Sequence, residues 1–217
     1  MARYAFDLES DGLLDEMTTI HSLVLQDAEN GEVISAHGED VKAALSTLMN
    51  ADQIIGHNII KFDIPAIQKI YPWFHIDETK VFDTLVMSRL IWADLMDRDA
   101  KAVAAGVLKP RDRGSHSLRA WGQRLGELKG DFGETTDWSE WTPEMQTYCE
   151  QDVVVTVKLL KLIEEKAVDP RAISLEHSVA FICAEQERTG FQFDLDKSLD
   201  LLKTLQEERA DVETKLQ

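Results

Sequence analysis

The chain has 217 residues, 44% of them hydrophobic and 29% charged, with a formal net charge of −17. That length suits one well-buried domain with a small appendage. No apolar run is long enough to cross a bilayer, and the start, MARYAFDLES, lacks the basic, apolar and cleavage regions of a signal peptide. The acidic balance excludes a stand-alone module that grips duplex DNA by neutralising phosphates, and leaves room for a protein that holds a few nucleotides through bound cations. Cys149 and Cys183 lie in amphipathic helical patterns without metal-ligand spacing, which fits a reducing, cytoplasmic setting.

In chain order, residues 3–8 and 20–25 read as strands, and a third follows at 33–37 after the turn-like Glu29-Asn30-Gly31-Glu32, giving an antiparallel meander. Asp40 is the expected N-cap of a helix to about Met49 whose apolar face is Val41, Ala44, Leu45 and Leu48. Residues 54–56 form a short buried strand, and 62–71 a helix that carries Pro65 in its first turn. A fifth strand at 81–84 leads into a helix with Leu85, Met87, Leu90 and Ile91.

The charged stretch 94–115 reads as irregular, with Lys109-Pro110-Arg111 and Gly114 marking a surface loop. A helix at 118–125 precedes a loop carrying Gly126, Gly130 and Gly133 and ending in Trp138 and Trp141. Thr142-Pro143-Glu144 combines a hydroxyl cap, a proline at the first helical position and an acid at the positive end of the dipole. That helix should run to about Lys166. Asp169-Pro170-Arg171 is the expected domain break, dividing a domain at 1–168 from a helical extension at 169–217. The extension holds a helix near 175–189, a turn or strand at 190–194 and a last amphipathic helix with no cap signal at its end, as in a piece of something longer. Strands followed by strands alternating with helices give an α/β fold with a mixed five-stranded sheet flanked by helices.

Three segments carry chemistry. Asp7 and Glu9 lie two residues apart at the end of the first strand, so both point to one face. Asp63 stands where a short strand turns into a helix, a position that also suits an ordinary helix-start acid. Tyr148 and Asp152 are four apart on the long helix, on a stripe that continues through Val155, Leu159 and Leu162. A buried carboxylate there needs a partner, and a cation is an economical one.

Taken together, Asp-x-Glu, the Asn58-x3-Phe62-Asp63 run and Tyr-x3-Asp resemble the three exonuclease motifs of the DEDD superfamily, in the tyrosine-bearing branch with a ribonuclease H-like fold. The runs FDTLVMSRL (82–90), GSHSLRAWG (114–122), RLGELKG (124–130) and QDVVVT (151–156) are similar to family A replicative polymerases of short-tailed phages of the T-seven type. EQERTGF (185–191) resembles the passage from such an exonuclease into a polymerase thumb. The resemblance implies a 3′→5′ proofreading exonuclease acting on a single-stranded DNA 3′ end, joined to a polymerase domain missing from this chain, monomeric and in the host cytoplasm.

It further implies two Mg²⁺, replaceable by Mn²⁺, with Asp7 bridging both, Glu9 and Asp152 completing the tighter site and Asp63 holding the second through water. Tyr148, a poor base with an unperturbed pKa of about 10, would position the attacking water. Leu13 matches the family's apolar wedge, though a plain loop leucine is the competing reading, and Asn58 and Phe62 fall beside the terminal nucleotide. Trp121, Trp138 and Trp141 are read as core or lid packing, and His116 as structural or near the DNA path. Two alternatives stay open: a stand-alone exoribonuclease, and a catalytically silent module of a polymerase.

Overall fold

The computed structural model describes residues 2–127 and 137–216. Its centre is strand β1 (Arg3–Ser10), which pairs antiparallel with β2 (Ile20–Asp27) and parallel with β4 (Gln53–Gly56). β3 (Val33–His37) extends one edge and β5 (Val81–Asp83) the other, giving the order β3-β2-β1-β4-β5. The meander, the mixed sheet and its five strands are as the sequence suggests. Both faces are covered, which is why residues 20–25 of β2 are all buried where a half-exposed strand would alternate.

The period of two in β1 sorts its side chains between two cores. Phe6 and Leu8 join Leu23, Leu25 and Ile54 on the side covered by α1 (Val41–Met49) and α2 (Asp63–Ile70). Ala5 joins Val24 and Ile55 on the other side, against α3 (Thr84–Ile91), α5 (Leu118–Leu125) and the long α6 (Pro143–Glu164). Asp7 and Glu9 share Ala5's parity and so emerge under α6. A β-bulge between Glu9 and Ser10 ends the regular ladder at that point, and bulges of this kind re-aim side chains at strand ends.

Two expectations need correction. Residues 94–115 are not irregular throughout, because α4 (Leu95–Ala104) lies within them. Its buried face is made by Leu95 and by Asp99, whose carboxylate takes two bonds from Arg124 (3.0 and 2.7 Å) and one from the Gly114 N–H (2.7 Å). An ion pair standing where apolar residues were sought hides the helical period. Asp40 does stand at the N-cap of α1, but it closes a 3-10 turn at Gly38–Asp40, has helical dihedrals and makes no side-chain cap bond. Thr142, by contrast, accepts from the Met145 N–H at 3.1 Å with Pro143 behind it, as its sequence suggests. Of the loop glycines, Gly126 closes α5 in the left-handed conformation (φ 74°); Gly130 and Gly133 lie outside the described residues.

Packing divides the chain into compact units Met1–Ala184 and Glu185–Gln217. The Asp169-Pro170-Arg171 break starts the helix α7 (Pro170–Thr189), but the first unit continues past it because His177 and Ala184 are buried. The second unit takes in the end of α7 and α8 (Leu195–Leu216), which buries no residue; no strand forms at 190–194. None of the described helices is long and apolar enough to cross a membrane.

One glycine is required by close approach. A Cβ on Gly56, at the end of β4, would lie 2.2 Å from Ile59 Cγ2 and 3.0 Å from the Phe6 carbonyl oxygen. Gly56→Ala is therefore expected to destabilise by about 1–3 kcal/mol, the usual range for overpacking, read as a lower midpoint in chemical denaturation. A wild-type midpoint would mean that the turn after β4 is free to move.

Candidate active site

Three elements deliver four carboxylates to one place. The bulged end of β1 carries Asp7 and Glu9, the first residue of α2 is Asp63, and the third turn of α6 carries Asp152. Beside Asp7 and Glu9 is Cys149, whose buried thiol donates to the Asp7 carbonyl oxygen at 3.3 Å and lies 3.9 Å from Asp7 Oδ2. One ligand atom each from Asp7, Glu9 and Cys149 falls within a 4.8 Å group. Burial pushes the Cys149 thiol up, and the charges of Asp7, Glu9, Asp152 and Asp63 push it further. The thiol thus stays protonated, a donor fastening α6 to β1. Sequence reading passed over Cys149 because it sought ligand spacing; the available signal was an apolar-face cysteine directly after Tyr148.

Asp63 is 4% exposed, and its carboxyl is pushed up to about 8. Burial is the main cause; the neighbouring Asp83 and Asp152 carboxylates add to it, while the N–H groups of Asp63 itself and Leu8 pull the other way. Asn58, five residues earlier, holds φ at 69°, a left-handed conformation that asparagine tolerates better than most residues. The turn containing it is clamped from β5. Asp83, 1% exposed, accepts from the N–H groups of Asn58 (2.9 Å), Ile60 (3.1 Å) and Leu85 (2.9 Å). Thr84 donates to the Gly56 carbonyl (3.0 Å) and bonds His57 Nδ1 (2.9 Å). Burial raises the Asp83 carboxyl, and its three backbone donors oppose that rise.

Asp7, Glu9, Asp63 and Asp152 line a cleft of about 880 Å³ that also includes Asn58, Phe62, Arg89, His116, Trp138 and Tyr148. Leu13, 74% exposed, stands apart from it and lines an adjoining pocket of about 370 Å³ with Phe62, Glu9 and Trp138. Trp138 therefore borders both spaces, its ring edge-on to Tyr148 (centroids 6.3 Å, 72°) and its carbonyl held by His21 Nε2 at 3.0 Å. It is a cleft wall as well as packing. Trp121 is core, packed on Trp92 at 4.8 Å, and Trp141 stacks on His37 at 4.2 Å. His116 donates from Nδ1 to Ser88 Oγ (3.1 Å) and also faces the cleft, so it is structural and adjacent at once. Arg89, exposed on α3, lines the same cleft.

The donor set fits a hard divalent cation. Four carboxylates offer oxygen ligands alone, the preference of Mg²⁺ and Mn²⁺, and their mutual repulsion is relieved when such an ion enters. Without an ion the cost is visible in Asp63. Its carboxyl binds a proton more tightly folded than unfolded, where the ordinary value is about 3.9. Its contribution to stability is therefore complete below about pH 4 and is lost as pH rises through about 8. In metal-free buffer, Asp63→Asn should melt above wild type near pH ~8, by roughly 4 °C or more if ~1 kcal/mol moves a domain of this size about 2–4 °C, and should converge with wild type near pH ~4. Parallel melting curves across that range would contradict the burial argument.

The chain's likeness to known proteins agrees with this geometry. The RNase_H superfamily pattern matches residues 4–164. The DNA-directed DNA polymerase of Escherichia phage T7 is 34% identical over 253 residues, an alignment covering 97% of this chain and 36% of that protein. The chain thus spans about a third of the length of the curated relatives it matches. A solved nuclease in its apo form superposes with a TM-score of 0.61 at 18% identity, covering 89% of this chain and 88% of that one. Brucella melitensis NrnC with bound Mg²⁺ gives 0.57 at 16% identity, covering 90% of each chain. With three-quarters of its length matched by that pattern and the corresponding sheet in place, the chain belongs to the RNase_H superfamily.

Proposed function

We propose that this chain is the 3′→5′ proofreading exonuclease part of a DNA polymerase, hydrolysing the terminal phosphodiester of a single-stranded DNA end. The observation that carries the reading is the gathering of Asp7, Glu9, Asp63 and Asp152 around one buried thiol, beside a tyrosine and next to an apolar pocket. The T7 polymerase match supplies the substrate class and implies a polymerase domain after residue 217. Exposed Phe191, Phe193, Leu199 and Leu202 in the second unit fit an apolar surface that such a domain would cover. A phage-encoded enzyme of this kind would work in the host cytoplasm, as a monomer.

In this reading Asp7, Glu9 and Asp152 would hold one divalent cation, and Asp63 would help to hold a second. Two Mg²⁺ are the natural pair, and Mn²⁺ has similar ligand preferences. When bound, such cations lower the pKa of water and neutralise charge growing on the phosphate. Tyr148 directs the attacking water with its hydroxyl, and the Cys149 bond keeps the Asp7 strand from shifting as charge rearranges. Leu13, Phe62 and Trp138 seat the terminal base by apolar contact and stacking, which accept any base, as proofreading demands. Asn58 bonds the terminal nucleotide, and Arg89, also in the cleft lining, offsets phosphate charge.

Digestion of a 5′-labelled single-stranded oligodeoxynucleotide should give a ladder shortening from the 3′ end, only with divalent metal, and faster than the matching RNA. An internal cut, or RNA degraded in preference to DNA, would overturn the reading. Tyr148→Phe removes a water-orienting hydroxyl but no ligand, so cleavage should slow by about 10²–10⁴-fold with Mn²⁺ binding nearly unchanged in calorimetry. Asp152→Ala should damage both. Equal loss of metal affinity in the two variants would make Tyr148 an architectural residue.

A further inference from the structure

The turn before Asp63 closes on itself through the Lys61 and Phe62 N–H groups, which donate to the Asn58 carbonyl (3.2 and 3.1 Å), but two of its other N–H groups are satisfied from outside it. Between Gly56 and Asp63 the backbone passes through the left-handed conformation of Asn58 and turns its N–H groups inward. Unsatisfied, such buried donors cost about 1–3 kcal/mol each. Their acceptor is the Asp83 carboxylate, which lies 25 residues from Asn58 and 23 from Ile60 along the chain. Capping of α3 accounts for only one of its three bonds, the one from Leu85. The other two reach across to the turn.

Asp83 is in turn held from a third direction. Its own N–H donates to His177 Nε2 at 2.8 Å, across 94 residues. His177 is 5% exposed; its Nδ1 donates to the Ile173 carbonyl at 2.8 Å, which leaves Nε2 as an acceptor, and its ring packs on Phe82 at 5.5 Å. This histidine stands on α7, beyond the proline break at Pro170, yet within the compact unit that ends at Ala184. A continuous path of bonds thus runs from α7 through His177 and Asp83 to the Asn58–Ile60 turn, and along three residues of chain to Asp63.

We propose that His177 and Asp83 are a pair of positioning residues for the nuclease site, holding the Asn58–Asp63 turn in register with the Asp7 strand, so that α7 is a working part of the catalytic unit. Neither residue lines the cleft; both act through the turn. This rests on the assignment of Asp63 to the metal site. Outer residues that orient metal-binding groups are commonly worth about 10–100-fold in metal affinity or activity, and a displacement on the order of 1 Å at a reacting centre can cost about 10²-fold in rate.

The test uses the full chain with four variants: His177→Ala, His177→Gln, Asp83→Asn and Asp7→Ala. Glutamine can offer the Asp83 N–H an oxygen in place of Nε2, whereas alanine cannot. Asparagine at 83 keeps one acceptor oxygen and turns an amide N–H₂ toward a backbone donor. Single-turnover cleavage, corrected for the folded fraction from melts, should fall about 10–100-fold in His177→Ala and Asp83→Asn. The KM for DNA should stay within about twofold, and the Mn²⁺ concentration for half-maximal rate should rise, because the turn leads to a carboxylate and not to the base pocket. His177→Gln should recover most of the rate. In the metal-free proteins, amide exchange at Asn58 and Ile60 should be at least about tenfold faster in the Ala and Asn variants.

The proposal is overturned if His177→Ala cleaves at the wild-type rate per folded molecule, if Gln is no better than Ala, or if exchange at both amides is unchanged. Should Asp83→Asn fail to fold, the two His177 variants still decide. Asp7→Ala separates the premises: if it cleaves normally the metal-site reading fails, and if it is inactive while His177→Ala is normal, only the positioning pair is lost.

Discussion

Carboxylates brought together repel, and the rest of this molecule is organised to hold them together anyway. Two unit charges about 4 Å apart interact by roughly 4 kcal/mol at the effective dielectric of a protein surface, so four of them would spread apart on a yielding scaffold. Here β1 is the central strand, paired on both sides and packed between two cores. Cys149 ties α6 to the Asp7 carbonyl, and Asp83 and Thr84 hold the turn before Asp63. Burial, with the Asp83 and Asp152 charges adding to it, holds the Asp63 carboxyl up at about 8, a cost that a divalent cation relieves. Stability without metal and affinity for metal are thus opposed by construction.

The sequence is most legible where one residue type does one thing. Asp7 and Glu9 at a strand end, Thr142-Pro143-Glu144 opening α6, and Tyr148 with Asp152 one turn apart are local patterns, readable by period and capping chemistry alone. It is least legible where a polar group is satisfied from a distance. Asp99 on the buried face of α4 is paired with Arg124, so the segment looks charged and irregular. His177 looks like one more helix residue until Asp83 is found against it. Cys149 has no ligand spacing because it works as a donor to a backbone carbonyl. Asp40 fails for the opposite reason: a fitting residue at the cap position whose side chain makes no cap bond, where a 3-10 turn already supplies the start of the helix. The break at Asp169 was visible as sequence, but sequence could not reveal that α7 returns to bury His177 and Ala184 in the first unit.

A net charge of −17 suits this division of labour. An acidic surface holds duplex DNA poorly, which is tolerable in the proposed reading, where the site would need only the last few nucleotides of one strand, held by cations and by the cleft residues Trp138, Phe62 and Arg89. In the proposed reading, broad duplex binding would fall to a polymerase domain; the chain spans about a third of the length of its curated relatives.

In the proposed site Asp7, Glu9 and Asp152 would share a cation, with Asp63 beside it. Crystals grown with Mn²⁺ and measured near the manganese absorption edge test this directly, since anomalous scattering identifies the ion without reference to activity. The account predicts a strong anomalous peak within about 2.0–2.4 Å of carboxylate oxygens from Asp7, Glu9 and Asp152, lost in the Asp7→Ala protein. A peak elsewhere, or a site left empty at millimolar Mn²⁺ with the carboxylates still clustered, would contradict it.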